Sequence, residues 1–368
     1  MLDLEETFVF DAVSHAYNLD SSNFRNERHA RTSAEQLYAI FDEAMPAGYQ
    51  PTHDSYFRDW GVEEVANMLF LESHTDMSTF HPIPVHAFHD GMVATEKAIE
   101  TCERWPDRFF GYATVDPLEA DALDELDRQV AAFDPLGLKL YPSSFGTDTH
   151  EGWHMDDPEV AYPVFERATE LGLDIVAVHK ALPLGAVPRA PFDPADVDKP
   201  AENFPELDFE IVHGGLAFTE ETAWQVARYD NIYVNLEGFG QLLAGQSAKA
   251  AEQLASLLSI GGENVIEHLF WGSGAMGAHP RPQLEAFRDL QFSDDVRRGG
   301  LVGELPQLTD EHKRKILGEN YARFIGLDVD AARERIADDE FSRRRSEEGL
   351  AGGFSLTDAD VKQPAEAA

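Results

Sequence analysis

Short apolar segments recur along this chain from residue 7 to residue 272, and amphipathic stretches separate them. Strands that alternate with helices in this way form a parallel sheet whose faces are covered by the helices. Eight such units, with no central break in composition, predict a TIM (β/α)8 barrel with a C-terminal helix outside it. The predicted strands are Thr7–Val13, Asn67–Glu72, Phe109–Val115, Gly137–Tyr141, Asp174–His179, Asp208–His213, Asn231–Leu236 and His268–Gly272.

Turn and cap residues between the segments support this interpretation. Asp157 before Pro158 is typical of an N-cap followed by proline in the first helical position, and Gly172 ends the same helix. A doubly wound sheet is the alternative architecture. No Gly-rich phosphate loop follows the first strand, however, and Gly238 with Gly240 lacks the glycine spacing of a dinucleotide site.

The chain divides into a barrel and a tail. Residues 1–336 are predicted to form the barrel, with residues 14–66 as an insertion after the first strand that covers the barrel mouth. Residues 337–368 are rich in Asp, Glu, Arg, Ala and Gly, so they are predicted to be a flexible, acidic tail.

The charge of the chain excludes several classes of partner. It has 68 Asp and Glu against 29 Lys and Arg, a formal net charge of −39. Nucleic acids and anionic membrane surfaces both require a cationic footprint, so neither is an expected partner. The acidic surface is typical of proteins adapted to high salt, where counterions screen the repulsion between carboxylates. We therefore expect a halophilic source.

Other features predict a cytoplasmic location. The apolar runs are too short to cross a bilayer, and the acidic N-terminus is unlike a secretory signal. Cys102 is the single cysteine, which excludes an internal disulfide and a cysteine-built metal site.

Polar side chains lie where the predicted strands end, which is where TIM barrels place their active sites. A single histidine there is most often structural. Histidines from several strands, together with a carboxylate, match the ligands that Zn²⁺ requires. The residues in question are Asp11, His15, Glu72, His74, Lys139, Tyr141, His179, Lys180, His213, Asn235 and Glu237.

Two further histidine groups carry less weight. His150-Glu151-Gly152-Trp153-His154 matches the H-E-x-x-H pattern of zinc proteases, which functions only on a continuous helix. Gly152 and the helix start at Asp157 indicate a loop, so a protease is not expected. The loop histidines His74, His81, His86 and His89 remain unassigned, either as substrate contacts or as surface residues.

An ordered set of motifs runs through residues 7–327: Asp11 with His15, Trp105-Pro-Asp-Arg-Phe109, Gly137-Leu-Lys-Leu-Tyr-Pro142, His179, Val212-His-Gly-Gly215, Trp271-Gly-Ser273 and Lys315-Ile-Leu-Gly-Glu-Asn-Tyr-Ala-Arg-Phe324. This set resembles the amidohydrolase superfamily, and within it the amidohydrolase-2 group of metal-dependent hydrolases and decarboxylases. The segment from residue 272 to 287 is similar to a divergent subgroup.

The resemblance implies a divalent metal, zinc or manganese, with Asp11, His15 and His179 as ligands. Two positions depart from the family pattern: Val13 replaces a ligand on strand one, and Gly274 replaces the strand-eight Asp that serves as ligand and base. The resemblance also implies a homodimer.

The predicted catalytic residues are His213, Lys139, Tyr141 and Glu72. His213 would act as acid, base or hydrogen-bond donor, and Lys139 with Tyr141 would hold an anionic or carbonyl group. An ion pair inside the barrel is the structural alternative for Lys139, with Glu72 or Glu237 as partner.

Three functions remain open. The first is a metal-dependent hydrolase acting on a small carbonyl or carboxylate compound, with Asp11, Glu72 or Glu237 as the metal's carboxylate. The second is a decarboxylase, metal-dependent or metal-free, that relies on Lys139 and the histidines. The third is a non-catalytic barrel that acts as a binding or accessory protein.

Overall fold

The computed structural model describes residues 2–143, 152–180, 183, 187–301 and 303–362. Eight parallel strands follow one another in chain order, each hydrogen-bonded to the next, so the predicted TIM (β/α)8 barrel is confirmed. The strands are β1 (Phe10–Ser14), β2 (Met77–Phe80), β3 (Phe109–Thr114), β4 (Gly137–Leu140), β5 (Ile175–His179), β6 (Asp208–Val212), β7 (Ile232–Asn235) and β8 (Leu269–Phe270).

Helices surround the barrel and cover its ends. The α-helices are α1 (Glu27–Ala44), α2 (His53–Tyr56), α3 (Val62–Phe70), α4 (Thr95–Arg104), α5 (Ala122–Phe133), α6 (Tyr162–Glu170), α7 (Asp198–Asn203), α8 (Thr219–Val226), α9 (Phe239–Ala244), α10 (Ala248–Leu257), α11 (Pro280–Asp289), α12 (Asp294–Arg298), α13 (Asp310–Arg314), α14 (Asn320–Phe324), α15 (Val329–Ile336) and α16 (Glu340–Glu348). A π-helical turn, Lys315–Glu319, joins α13 to α14. Among the described helices, none has the length and apolar composition that a membrane crossing requires.

Contacts between the first strand and the residues after the last strand complete the ring. The amide of Ala12 donates to the carbonyl of Trp271 at 2.9 Å, and the amide of Gly274 donates to the carbonyl of Val13 at 3.0 Å. Position 274 therefore lies beside the end of β1, at the mouth of the barrel.

The barrel interior combines an apolar cluster with buried charged groups. Val13, Tyr112 and Ala177 are among its buried apolar residues. Lys139, Ala177 and Glu210 are register partners on neighbouring strands, so their side chains point to the same side of the sheet. A lysine and a glutamate are thus fully buried inside the barrel.

The second predicted strand is wrong. Asn67–Glu72 was expected to be a strand, but residues 67–70 form the last turn of α3, and β2 is Met77–Phe80 instead. A short apolar run is compatible with either a buried strand or a buried helix, and α3 is buried along much of its length. The residue that follows β2 is consequently His81, and Glu72 and His74 do not end a strand.

The described part of the C-terminal region packs against the barrel, which differs from the flexible tail that its composition predicts. Phe341 on α16 and Phe354 beyond it are buried. The backbone then runs beside the insertion, because the amide of Thr52 donates to the carbonyl of Asp360 and that of Lys362 donates to Gln50. Residues 349–362 form a C-terminal strap. Residues 363–368 lie outside the described residues.

Candidate active site

The carboxyl ends of five strands surround one cavity of about 100 Å³. Each of these strands contributes a polar side chain from its last residue or from the residues just beyond it. These are His15, Tyr141, His179, His213 and Glu237. All five are candidate site residues from the sequence, and the barrel brings them together.

The insertion after β1 forms the opposite wall of the same cavity. Helix α1 contributes Leu37, Ile40 and Phe41, and Ile83 and Met92 from the segment after β2 extend the apolar surface. The cavity therefore has a polar floor formed by the strand ends and a largely apolar roof formed by α1 and its neighbours.

His179, His213 and Glu237 form a short polar chain at the floor. His213 Nε2 lies 2.9 Å from His179 Nδ1, which is hydrogen-bond distance. On its other side, His213 Nδ1 lies 3.7 Å from Glu237 Oε2. His213 adopts φ of +70°, a left-handed conformation that costs energy for a non-glycine residue. Such strain is common at functional sites, where the surrounding structure holds a side chain in one orientation.

Glu237 occupies the space beside position 274, where the family pattern places an aspartate. Gly274 has φ of +64°, and a Cβ atom built on it would lie 2.5 Å from Glu237 Oε1. A carboxylate from β7 therefore takes the place of the carboxylate that residue 274 lacks. Burial raises the pKa of Glu237, and the positive charge of Lys139 opposes that shift. The sequence signal for the replacement of one carboxylate by the other is the glycine at position 274, which leaves room for Glu237.

Lys139 lies inside the barrel and does not line the cavity. Its Nζ atom is buried without a hydrogen-bond partner among the described residues, and it lies 4.5 Å from the centre of the Tyr141 ring. Burial lowers the pKa of Lys139, and the charges of Glu237 and Glu210 oppose that shift. The predicted direct contact between Lys139 and substrate would require a movement of this side chain. Tyr141 lines the cavity.

Two residues of the predicted metal set lie at different depths. Asp11 is buried beside the cavity, where its Oδ1 atom accepts hydrogen bonds from the amides of Ser273 at 2.8 Å and Val13 at 3.2 Å. Its Oδ2 atom has no hydrogen-bond partner within the described part of the chain, and burial raises the pKa of the Asp11 carboxyl group to about 6. His15 lines the cavity itself, with Nδ1 2.8 Å from the carbonyl oxygen of His81.

The His15 hydrogen bond assigns the tautomer of its ring. A carbonyl only accepts, so Nδ1 donates the proton and Nε2 remains an acceptor. Burial lowers the pKa of His15 to about 3, and the charge of Lys139 contributes to the shift. His213 likewise has its pKa lowered to about 3 by burial and by Lys139. Both rings are therefore neutral near pH 7.

Glu72 is not at the cavity, which corrects its predicted catalytic position. Its Oε2 atom accepts hydrogen bonds from His279 Nε2 at 3.0 Å and from the amide of Phe354 at 2.7 Å. Its Oε1 atom accepts from the amide of Leu356 at 2.7 Å. Glu72 therefore binds the C-terminal strap to the barrel. The mistaken strand assignment at residues 67–72 is the reason for the error.

Among the remaining histidines, His81 lies next to the floor, with its buried ring packed on Tyr112 and 6.1 Å from the centre of the His15 ring. His74 lies elsewhere, 3.2 Å from Glu5. His86 lies 3.2 Å from Asp116, and His89 is exposed. In the H-E-x-x-H segment, His150 and Glu151 lie outside the described residues.

The residues predicted to bind a metal do not form a ligand set in this arrangement. In the described parts of the chain, three ligand atoms within 4.8 Å of one another occur at His86 with Asp116 and Glu119, and at His154 with Asp156 and Asp196. Neither group includes Asp11, His15 or His179. The barrel floor does not fit a metal ion in this geometry.

A TIM barrel with titratable residues from several strand ends at one mouth cavity is the architecture of a barrel enzyme. The family model of the amidohydrolases matches residues 80–327. The chain therefore belongs to the amidohydrolase family, as the motifs predicted. No curated protein shows significant sequence similarity to it.

Solved structures share the fold at low sequence identity. An uncharacterised TIM-barrel protein from Bordetella bronchiseptica is 17% identical with a TM-score of 0.59, covering 86% of this chain and 98% of its own. A 4-oxalomesaconate hydratase from Rhodopseudomonas palustris is 17% identical with a TM-score of 0.52, covering 89% and 98%. A 5-carboxyvanillate decarboxylase from Novosphingobium aromaticivorans, complexed with manganese, is 13% identical with a TM-score of 0.51, covering 88% and 97%.

Proposed function

We propose that this protein is a hydrolase that adds water to a small carbonyl compound in the mouth cavity. The observation that carries the proposal is the position of Glu237, which reaches the place of the missing strand-eight carboxylate and lies 3.7 Å from His213. Membership of the amidohydrolase family supports the reaction class.

Glu237 is the group proposed to move the proton. It is the only carboxyl group among the described residues that line the cavity. Because burial raises its pKa, both its ionised and its protonated forms are accessible near neutral pH, as a general acid or base requires. The ionised form takes a proton from the attacking water, and the resulting acid returns that proton to the leaving group.

His213 lies between His179 and Glu237, so the two histidines position the carboxyl group of Glu237. Their mutual contact at 2.9 Å fixes the orientation of both rings. His15 presents an acceptor nitrogen that can orient the attacking water. The hydroxyl of Tyr141, whose pKa burial raises well above its usual range, stays protonated and can donate to the carbonyl oxygen.

Turnover of phenyl acetate, a small neutral ester, tests this proposal. We expect hydrolysis by the wild-type protein and its loss in Glu237→Gln, with Glu252→Gln on the exposed face of α10 as the matched control. No turnover of phenyl acetate or of small lactones and amides by the wild-type protein would contradict the proposal. That result would favour the binding or accessory function.

The cytoplasmic location and the homodimer stay predictions, and so does zinc dependence, which the proposed proton transfer by Glu237 does not require. Metal analysis of protein purified without chelators tests the zinc dependence. Light scattering after size-exclusion chromatography tests the oligomeric state, with a mass of twice 41.0 kDa expected for the homodimer.

A further inference from the structure

The charge of the cavity wall restricts the substrate beyond its carbonyl group. Among the described residues that line the cavity, none is Lys or Arg. The residues outside the described ranges contain no Lys or Arg either, as the sequence shows. No permanently cationic side chain can therefore be contributed to this cavity by an undescribed segment.

Two buried lysines at the strand ends, Lys139 and Lys180, interact with other groups of the protein. Lys139 is fully buried beneath the floor, where its Nζ atom packs over the Tyr141 ring and its charge is balanced by Glu237 and Glu210. Lys180 is also buried, and its Nζ atom lies 2.7 Å from Asp196 Oδ1 and 2.7 Å from the carbonyl oxygen of Pro191. Neither ammonium group faces a ligand in the cavity.

The histidines of the floor do not supply a permanent positive charge. His15 is buried and donates from Nδ1 to the carbonyl oxygen of His81, and the hydrogen bond between His213 and His179 at 2.9 Å requires an unprotonated nitrogen on one of these two rings. A carboxyl group such as that of Glu237 is either a neutral acid or a negative charge. The described wall of the cavity therefore contains no permanently cationic side chain.

We propose that the cavity accepts an uncharged substrate, a small ester, lactone or amide with an apolar body, and rejects carboxylates and phosphates. The inference rests on the proposed hydrolase function and names its substrate class. An anionic group in this cavity would lose its hydration without gaining a counter-ion. Leu37, Ile40 and Phe41 of α1 would instead cover the apolar body of a neutral ligand.

An uncharged substrate also favours release of the product. Hydrolysis of a neutral ester consumes one water and yields an alcohol and a carboxylic acid, which releases its proton at neutral pH. The product is then an anion in a cavity without a cation, so its departure is favoured. A decarboxylase, by contrast, must first bind a carboxylate in the same place.

Binding of benzamide and benzoate, which match in shape and differ by one charge, tests the inference without requiring turnover. Isothermal titration calorimetry at pH 8 and fixed salt is expected to show benzamide binding at least roughly tenfold tighter than benzoate, the minimum discrimination that one unpaired buried charge imposes. Equal or tighter binding of benzoate would overturn the inference, and so would failure of both compounds to bind.

A variant that introduces a positive charge into the cavity wall sharpens the test. Gln36 is an exposed residue of α1 that lines the cavity. Gln36→Arg is expected to strengthen benzoate binding by about tenfold relative to benzamide binding, while Gln36→Leu, which adds no charge, keeps the preference for benzamide. No gain for benzoate in Gln36→Arg would show that charge is not the selecting feature. Hydrolysis of phenyl acetate is measured separately, so loss of the charge preference and loss of the hydrolase function are distinguishable.

Discussion

Among the described residues, two buried pairs of a glutamate and a histidine differ in what surrounds them. Glu72 and His279 are 3.0 Å apart, and two backbone amides of the C-terminal strap saturate the Glu72 oxygens. Glu237 and His213 are 3.7 Å apart and face a cavity. The same two side-chain types therefore stabilise the fold in one place and remain available for proton transfer in the other.

The two pairs differ in how many hydrogen bonds the carboxylate oxygens accept. A carboxylate that accepts from backbone amides and a histidine cannot take up a proton without breaking the contacts that hold a segment of chain. A carboxylate beside a strained histidine and an open cavity has no such cost. The substitutions below act on one pair at a time, from the largest expected effect to the smallest.

Glu237→Gln is expected to lower kcat for phenyl acetate by roughly a thousandfold, because an amide cannot accept and return the proton. The midpoint of urea unfolding should stay within the range of ordinary conservative substitutions. Retention of more than a tenth of the wild-type kcat would remove Glu237 from the reaction.

Glu72→Gln is expected to lower the free energy of unfolding by about 2–4 kcal/mol, since the new amide group would face the donating amides of Phe354 or Leu356. Urea titration followed by tryptophan fluorescence measures the loss. The folded fraction should keep its kcat within about threefold. An inactive variant that unfolds at the wild-type urea concentration would return Glu72 to the catalytic set.

Gly274→Ala tests whether Glu237 truly occupies the vacated position. The added Cβ would displace the end of the Glu237 side chain, so kcat should fall by about tenfold. The positive φ at this residue adds a stability loss of about 1 kcal/mol. Full activity with the added methyl group would show that Glu237 is not held there.

The acid dependence of stability reports on the second pair. Because burial lowers the pKa of His213 from 6.5 to about 3, the unfolded chain binds the extra proton between these values. The free energy of unfolding therefore falls as the pH falls through that range, by about 1.4 kcal/mol per pH unit for this group. His213→Asn, which tolerates the positive φ, should make the slope shallower by that amount, with exposed His89→Asn as control. An unchanged slope would mean that His213 is protonated in the folded state.

Much of the barrel was predictable from the sequence, since seven of the eight predicted strands overlap observed ones. Alternating apolar and amphipathic segments carry that information locally. The exception was β2, whose Ser78 and Thr79 make it less apolar than the end of α3. Assigning the second strand to residues 67–72 instead of 77–80 also misplaced Glu72.

The site was predictable only in part, because its decisive contacts join distant positions. His15, Tyr141, His179 and His213 follow strand ends and were found by that rule. The contact of Glu237 with position 274 depends on the packing of β7 against β8 and is absent from either local pattern. The saturation of Glu72 by residues 354 and 356 likewise exists only after the chain has folded.

The central claim is that Glu237 performs the proton transfer at a floor that does not bind a metal. The most direct test is kcat/KM for phenyl acetate after dialysis against a chelator, for the wild-type protein and for Glu237→Gln. The account predicts that chelation changes the wild-type value by less than about twofold, while Glu237→Gln lowers it by roughly a thousandfold. Loss of activity on chelation, recovery with zinc or manganese, and an active Glu237→Gln would contradict it.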